Sequence, residues 1–438
     1  MDITLLLIAG GASAIGFYMA WNIGANDVSN SMATAVGAKA ITFRQAVLIA
    51  AVLTFVGAVF VGSQVTETIK GGIIDPYKIG DPFILLLGFV SSLLAASIFV
   101  TLATWKEMPI STTHAIIGAI VGFGLIAGGN TCINWGKLAE ITASWVLSPV
   151  VGCIIAFIVF KVIVKLIFSK ENPVEAAKIV GPGIIGVTTF MIVSSLFMKT
   201  NLGERLGIID LPLILTISIV TGVCLAGVST FLLRHIMART PSEDYGTVEQ
   251  IFRKLQIITS CYVAFSHGAN DVANAIGPVA AIFSLATEGV VNTTAEIPTY
   301  LLALGGIGIG VGAITWGHKV MRTVGYRITS LTNTRGFSVD FAAATTVLVA
   351  SKLGLPISTS HTVIGAVIGV GLARGLDAVD LKVIKKIIYS WLLTVPSAIA
   401  CVRTGHMSLL VIPLNNKGLG ICTSTMANST SQKTTYLS

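Results

Sequence analysis

The sequence predicts an all-α, polytopic membrane protein of about twelve transmembrane helices, built as two inverted five-span repeats with broken helices. Three observations carry that expectation. Of 438 residues, 54% are hydrophobic and only 11% are charged, with a mean hydropathy of +0.86. The apolar residues gather into runs long enough to cross a bilayer. Two unusual polar motifs each occur twice, in the same order.

An ordinary soluble domain carries about 25% charged residues. A chain this poor in charge cannot cover its surface with polar groups, which excludes a soluble enzyme, a nucleic-acid-binding domain and a disordered tail protein. The net charge of +8 therefore reads as membrane-flanking charge and not as a nucleic-acid patch. The six cysteines are scattered without metal-like pairing, so neither a disulfide framework nor a zinc site is expected.

A crossing helix needs about 20 apolar residues. The first run, 3–23, lacks a basic start and a small-residue cleavage site and ends at Trp21-Asn22, so it reads as a span and not as a signal peptide. Segments 42–64, 83–104, 109–128 and 138–160 complete a first group of five. Segments 179–199 and 208–233 follow, and 251–272, 297–316, 337–354, 356–375 and 383–400 form a second group of five. Several contain Gly, Pro or polar clusters and are expected to break or tilt. When the connections are numbered alternately, one face collects nineteen Lys and Arg and the other six, with three more in the C-terminal tail. That bias marks the richer face as cytoplasmic and puts both termini outside a plasma membrane. The expected divisions are a first repeat at 1–168, a connector at 169–250, a second repeat at 251–400 and a polar tail at 401–438. The last span is short where its apolar run stops at Arg403, unless Met407 to Leu414 extend the helix past that residue.

The duplication is the most informative feature. Gly24-Ala25-Asn26-Asp27-Val28-Ser29-Asn30 recurs as Gly268-Ala269-Asn270-Asp271-Val272-Ala273-Asn274. Pro109-Ile110-Ser111-Thr112-Thr113-His114 recurs as Pro356-Ile357-Ser358-Thr359-Ser360-His361, and the residues beyond match too. From Asn26 to Ser111 is 85 residues, and from Asn270 to Ser358 is 88. An odd number of spans separates the copies, so they run in opposite directions, an architecture found in secondary transporters. If 109–128 is re-entrant, so is 356–375.

An ionisable carboxylate inside a membrane is costly and usually functional. Asn26, Asp27 and Asn30 set three oxygen-bearing side chains within one helical turn, and Asn270, Asp271 and Asn274 do so again. Oxygen ligands suit a hard cation such as sodium, whereas a carboxylate alone could carry a proton. The preceding Gly-Ala is expected to break the helix and free backbone carbonyls for the same cation. The alternative is a polar cap on a kinked helix.

Ser111, Thr112 and Thr113, with Ser358, Thr359 and Ser360, follow prolines that suit a first helical turn. Hydroxyls, unpaired N–H groups and the positive dipole end then cluster as an anion site. One hydroxyl suffices for a cap; three in a row, twice, exceed that need. Two such tips could hold a tetrahedral oxyanion beside charge-neutralising cations. Asp27 and Asp271 could accept a proton-bearing hydrogen bond, which hydrogen phosphate offers near neutral pH and sulfate does not. His114 and His361 read either as proton shuttles or as packing residues. Gln64 and Glu67 read as interface residues, and Trp21, Trp105, Trp135, Trp145, Trp316 and Trp391 mostly as interfacial anchors. Gly305-Gly306-Ile307-Gly308-Ile309-Gly310 lies in an apolar span and reads as a packing surface, and no P-loop pattern supports direct ATP drive. Asn292-Thr293-Thr294 is a weak glycosylation acceptor.

The doubled motifs, over about residues 15–400, resemble the inorganic phosphate transporter (PiT) family of cation-coupled symporters. The resemblance implies inorganic phosphate as substrate, sodium or proton coupling, inverted repeats, and no enzyme activity or cofactor beyond the coupling ions. It puts Asp27, Asp271, Ser111, Thr112, Thr113, Ser358, Thr359 and Ser360 around phosphate. Asn26, Asn30, Asn270 and Asn274 join the two aspartates near sodium. Many members resemble dimers or higher assemblies, and the short connector is similar to the prokaryotic branch. Import of sulfate or another tetrahedral oxyanion, and an ion channel, are the competing expectations.

Overall fold

Helix termini in this chain are written by short local signals. Thr42 caps the helix that follows through a reciprocal box with Gln45. Asp81 caps another through the Phe83 and Ile84 amides with Pro82 in the first turn. The computed structural model describes residues 3–199, 210–237, 245–289, 291, 297–326, 330–353 and 355–414. Among these the chain is helical, apart from loops and one antiparallel bridge between Ile74 and Ile133. Residues 415–438 and Asn292-Thr293-Thr294 lie outside the described residues, as do the side chains of Gln64 and Glu67.

The helices are α1 (Ile3–Gly37), α2 (Phe43–Val61), α3 (Ser63–Gly71), α4 (Pro76–Ile79), α5 (Pro82–Trp105), α6 (Thr112–Ala127) and α7 (Trp135–Ile163). A wider π turn continues α7 through Val164–Phe168. Then come α8 (Pro173–Lys199), α9 (Leu211–Met237), α10 (Tyr245–Glu288), α11 (Thr299–Trp316), α12 (His318–Tyr326), α13 (Asn333–Lys352), α14 (Thr359–Arg374) and α15 (Leu381–Leu414). Seven of these, α2, α5, α7, α8, α9, α11 and α15, are long and apolar enough to cross a membrane. The protein is an integral membrane protein.

Helices α6 and α14 have 16 residues each, about 24 Å at 1.5 Å per residue, which is short of the roughly 30 Å apolar core of a bilayer. Each begins at a serine in extended conformation, Ser111 (φ −93°, ψ 113°) and Ser358 (φ −89°, ψ 111°). Their N-terminal tips are buried inside the protein.

One sequence expectation is corrected. The Asn-Asp motifs do not sit at helix breaks: α1 runs unbroken through Gly24 to Asn30, and α10, 44 residues long, runs unbroken through Gly268 to Asn274. No break frees backbone carbonyls there. Of the two forms expected for the last helix, the structure has the longer: it continues past Arg403 to Leu414.

The glycines at the presumed breaks serve close packing instead. Extensive helix pairings cross between the repeats: α1 with α11, α10 with α2, α7 with α14, and α15 with α6. A Cβ on Gly24 would lie 1.8 Å from the Ile309 carbonyl of α11, and one on Gly268 would lie 2.0 Å from the Thr54 carbonyl of α2. Only a bare α-carbon lets the backbones come this near, and in a bilayer such van der Waals contact is a principal source of helix association. The glycine run in α11 is part of this surface, with Gly312 meeting the Trp21 carbonyl.

Loop contacts among the described residues sort into two groups. Asp75 N–H donates to the Cys132 carbonyl and Asn134 N–H to the Ile73 carbonyl, which joins the 2–3 and 4–5 connections. Arg253 donates to the Ala40 carbonyl, Thr323 to the Glu107 carbonyl, Thr332 to Glu249, and Arg374 to Ser330. Those four join the 1–2, 3–4, 7–8, 9–10 and 11–12 connections to one another. Every one of these contacts links connections that the alternating charge count puts on the same face.

Replacing Gly24 or Gly268 with alanine should lower the melting temperature of the purified protein, at a cost of about 1–3 kcal/mol from overpacking. Gly183→Ala, where an added Cβ meets nothing within 4 Å, should leave it unchanged in the same thermal aggregation assay.

Candidate functional site

Both Asn-Asp turns lie mid-helix and out of reach of solvent. Asn26, Asp27 and Asn30 are each 1% exposed, and Asn270, Asp271 and Asn274 are 1%, 0% and 1% exposed. Facing them are the tips of α6 and α14. At each tip the first hydroxyl caps the helix: Ser111 Oγ accepts from the His114 amide and Ser358 Oγ from the His361 amide, both at 3.2 Å. Of the remaining hydroxyls, those of Thr112, Thr359 and Ser360 reach the aspartates, and that of Thr113 reaches the Ile357 carbonyl.

The contacts are reciprocal. Thr112 donates to Asp27 Oδ2 at 2.6 Å, and Thr359 donates to Asp271 Oδ2 at 2.8 Å. Asn30 Nδ2 crosses to the other repeat, donating to Ser360 Oγ at 2.8 Å; Asn274 Nδ2 crosses the opposite way to Thr113 Oγ1 at 3.1 Å. Thr113 donates to the Ile357 carbonyl and Ser360 to the Ile110 carbonyl. Ser360 also lies 3.1 Å from Asp27 Oδ1, which accepts from Asn30 as well. Asn26 Nδ2 donates to Thr104 and the Met108 carbonyl, whereas Asn270 Nδ2 donates to Asp271 Oδ1 and the Ile357 carbonyl. All twelve residues singled out in the sequence thus meet in one cluster, with Ser111 and Ser358 as its caps.

Carboxylate oxygens of Asp27 and Asp271 and a ring nitrogen of His267 lie within 4.8 Å of one another. Two negative charges at such a distance repel by about 3 kcal/mol even at an effective dielectric near 20. Neutral donors, worth about 1.5–3 kcal/mol each to a charged group, stabilise each carboxylate but do not remove that repulsion. A positive charge between them does. Two carboxamide oxygens, Asn30 Oδ1 and Asn274 Oδ1, occupy equivalent positions in the two repeats and are buried with no hydrogen-bond partner. Unpaired buried oxygens beside a carboxylate pair are a donor set suited to a hard cation.

His267 was not legible from the duplication, because Ile23 stands at its place in the first copy. Its Nε2 is 3.0 Å from Asp271 Oδ2 without hydrogen-bond alignment, and its Nδ1 has no partner. Trp145 and Trp391 are also placed differently from expectation. They are not interfacial anchors: each indole stacks on a tip histidine with ring centroids 3.7 Å apart, Trp145 on His114 and Trp391 on His361. The two imidazoles meet edge to face at 4.4 Å, which completes a four-ring column behind the tips. This packing accounts for both histidines.

The sequence signature of the phosphate transporter family matches residues 23–401, nearly the whole chain. The chain belongs to that family. A candidate phosphate permease of Thermococcus kodakarensis is 52% identical over 391 residues, covering 88% of this chain and 93% of the relative. The chloroplastic inorganic phosphate transporter 2-1 of Arabidopsis thaliana is 42% identical over 410 residues, covering 87% and 68%. A solved structure described as a sodium-dependent phosphate transporter superposes with a TM-score of 0.84 at 48% identity, covering 93% of this chain and all of that one.

The reciprocal bonds predict coupled energetics. In a double-mutant cycle of Asn30→Ala with Ser360→Ala, read by thermal unfolding, the interaction energy should be about 0.5–3 kcal/mol. A cycle of Asn30→Ala with Thr142→Ala, on the exposed face of α7, should show none.

Proposed function

We propose that this protein is a secondary-active symporter that imports inorganic phosphate down a sodium gradient by alternating access, from a cell membrane in which both termini face outward. The observation that carries this reading is the pair of buried aspartates held between two hydroxyl-bearing helix tips, beside unpaired carboxamide oxygens. Twelve crossings in two inverted repeats, with α6 and α14 each completed by the extended chain before its tip, fit the loop contacts, each of which joins two connections of the same parity. Membership of the phosphate transporter family and likeness to a sodium-dependent phosphate transporter support phosphate over sulfate and over a channel.

Each residue has a task in this reading. Thr112, Thr359 and Ser360 turn their hydroxyls from the aspartates toward phosphate, and Thr113 turns its hydroxyl from the Ile357 carbonyl, aided by the positive ends of α6 and α14. Ser111 and Ser358 fix those tips by capping. Asp27 and Asp271 accept the proton of hydrogen phosphate and, with Asn26, Asn30, Asn270 and Asn274, supply oxygens to sodium. The unpaired Asn30 Oδ1 and Asn274 Oδ1 favour sodium over a proton, because a proton needs only the carboxylates. Cation and anion together keep the moving load near neutral in a low-dielectric interior. Trp145, His114, His361 and Trp391 hold the two tips at a fixed separation.

In proteoliposomes, labelled phosphate should accumulate under an imposed sodium gradient and not under a pH gradient alone. Excess unlabelled phosphate should compete and sulfate should not. Asp27→Asn and Asp271→Asn should each cut uptake by about tenfold or more. Undiminished uptake by both variants would contradict the assignment.

A further inference from the structure

Beside the central site lies a separate cavity of about 120 Å³, lined by Lys106, Glu107, Met108 and Pro109 on one wall and by Lys386 and Ser390 of α15 on the other. That is several times the space a single water needs, and it leaves room for a tetrahedral oxyanion. Only a short stretch of chain divides it from the ion site. The Met108 carbonyl accepts from Asn26 Nδ2, and Pro109 leads directly into Ile110 and the capping Ser111. Ser390 precedes Trp391, which stacks on His361. The cavity is therefore walled by the chain that leads into the α6 tip.

The charges that line it are not required by the repeat. The segment Ser390-Trp391 of α15 corresponds to Ser144-Trp145 of α7, and Pro109 corresponds to Pro356. On that register Ile387 matches Ile141 and Ser390 matches Ser144, whereas Lys386 falls opposite Glu140 and Lys106 opposite Leu353. Glu140 is already paired with Lys137 at 3.1 Å. Three of the lining positions, Pro109, Ile387 and Ser390, are thus repeated in the other copy, whereas the two lysines are not. Neither ammonium group makes a salt bridge or a hydrogen bond among the described residues. Glu107 is the single acid in the lining, which keeps an excess of positive charge.

We propose that this cavity is an anion staging site on the lysine-rich face, where Lys106 and Lys386 hold hydrogen phosphate on its way between the central site and the cytoplasm. The proposal rests on the symport reading and its orientation. A cleft whose lining carries a net positive charge concentrates anions at its mouth. The same chemistry would also suit a lipid phosphate headgroup, and the experiment separates the two.

Initial rates of labelled phosphate uptake are measured in right-side-out and inverted membrane vesicles carrying the wild type, Lys106→Gln/Lys386→Gln or Lys106→Arg/Lys386→Arg. The glutamine pair should raise the half-saturating phosphate concentration about tenfold in inverted vesicles, and less than about twofold in right-side-out ones, with maximal rates retained. The arginine pair should match the wild type in both. Half-saturation unchanged on the lysine face, or shifted equally on both faces, would overturn the staging site. A loss of maximal rate or of uniform orientation with half-saturation unchanged would assign the lysines to lipid and also overturn it. A wild type that moves no phosphate in either vesicle would instead overturn the symport reading itself.

Discussion

Two carboxylates brought close together in a dehydrated membrane interior impose the constraint that the rest of this structure answers. Burial of an ionised acid without compensation costs far more than a hydrogen bond returns. Asp27 and Asp271 are buried to within 1% of full exclusion and lie side by side. Their surroundings supply donors first: Thr112, Asn30 and Ser360 to one, Thr359 and Asn270 to the other. Those donors satisfy each acid singly and leave the mutual repulsion in place. The centre is thereby poised for positive charge, and positive charge there is in turn poised for an anion.

The donors arrive because each repeat leans on the other. Asn30 and Asn274 reach across to the opposite tip, and α7 and α15 pack on the opposite short helix. Glycines at Gly24 and Gly268 bring the central helices within backbone contact of α11 and α2. Neither repeat can assemble its half of the centre alone. A displacement of one tip would alter hydrogen bonds on both aspartates, so the two halves of the site are obliged to respond together.

Much of this was legible in the residues. The motifs were conspicuous because polar side chains in an apolar chain stand out and because each occurred twice; all twelve of those side chains meet in one place. What repetition made visible, it also limited. His267 was hidden because the first copy has Ile23 in its position, and comparison of repeats favours what both copies share. The glycines were misread as breaks, since a glycine that admits a neighbouring backbone and a glycine that ends a helix are identical in sequence. Trp145 and Trp391 were misplaced for a related reason. Distance from a span end measures depth only when the helix tips nearby lie at the surface, and here the α6 and α14 tips are buried. Lys106 and Lys386 counted toward topology, but their convergence on one cavity required three dimensions.

The central claim is that cation and oxyanion share one site and stabilise each other there. Binding of labelled phosphate to the purified protein, with sodium or with choline as the only monovalent cation, tests it most directly. Sodium should tighten phosphate binding, phosphate should tighten sodium binding by the same factor, and both effects should vanish together in Asp27→Asn. Phosphate affinity indifferent to sodium in the intact protein would contradict the account.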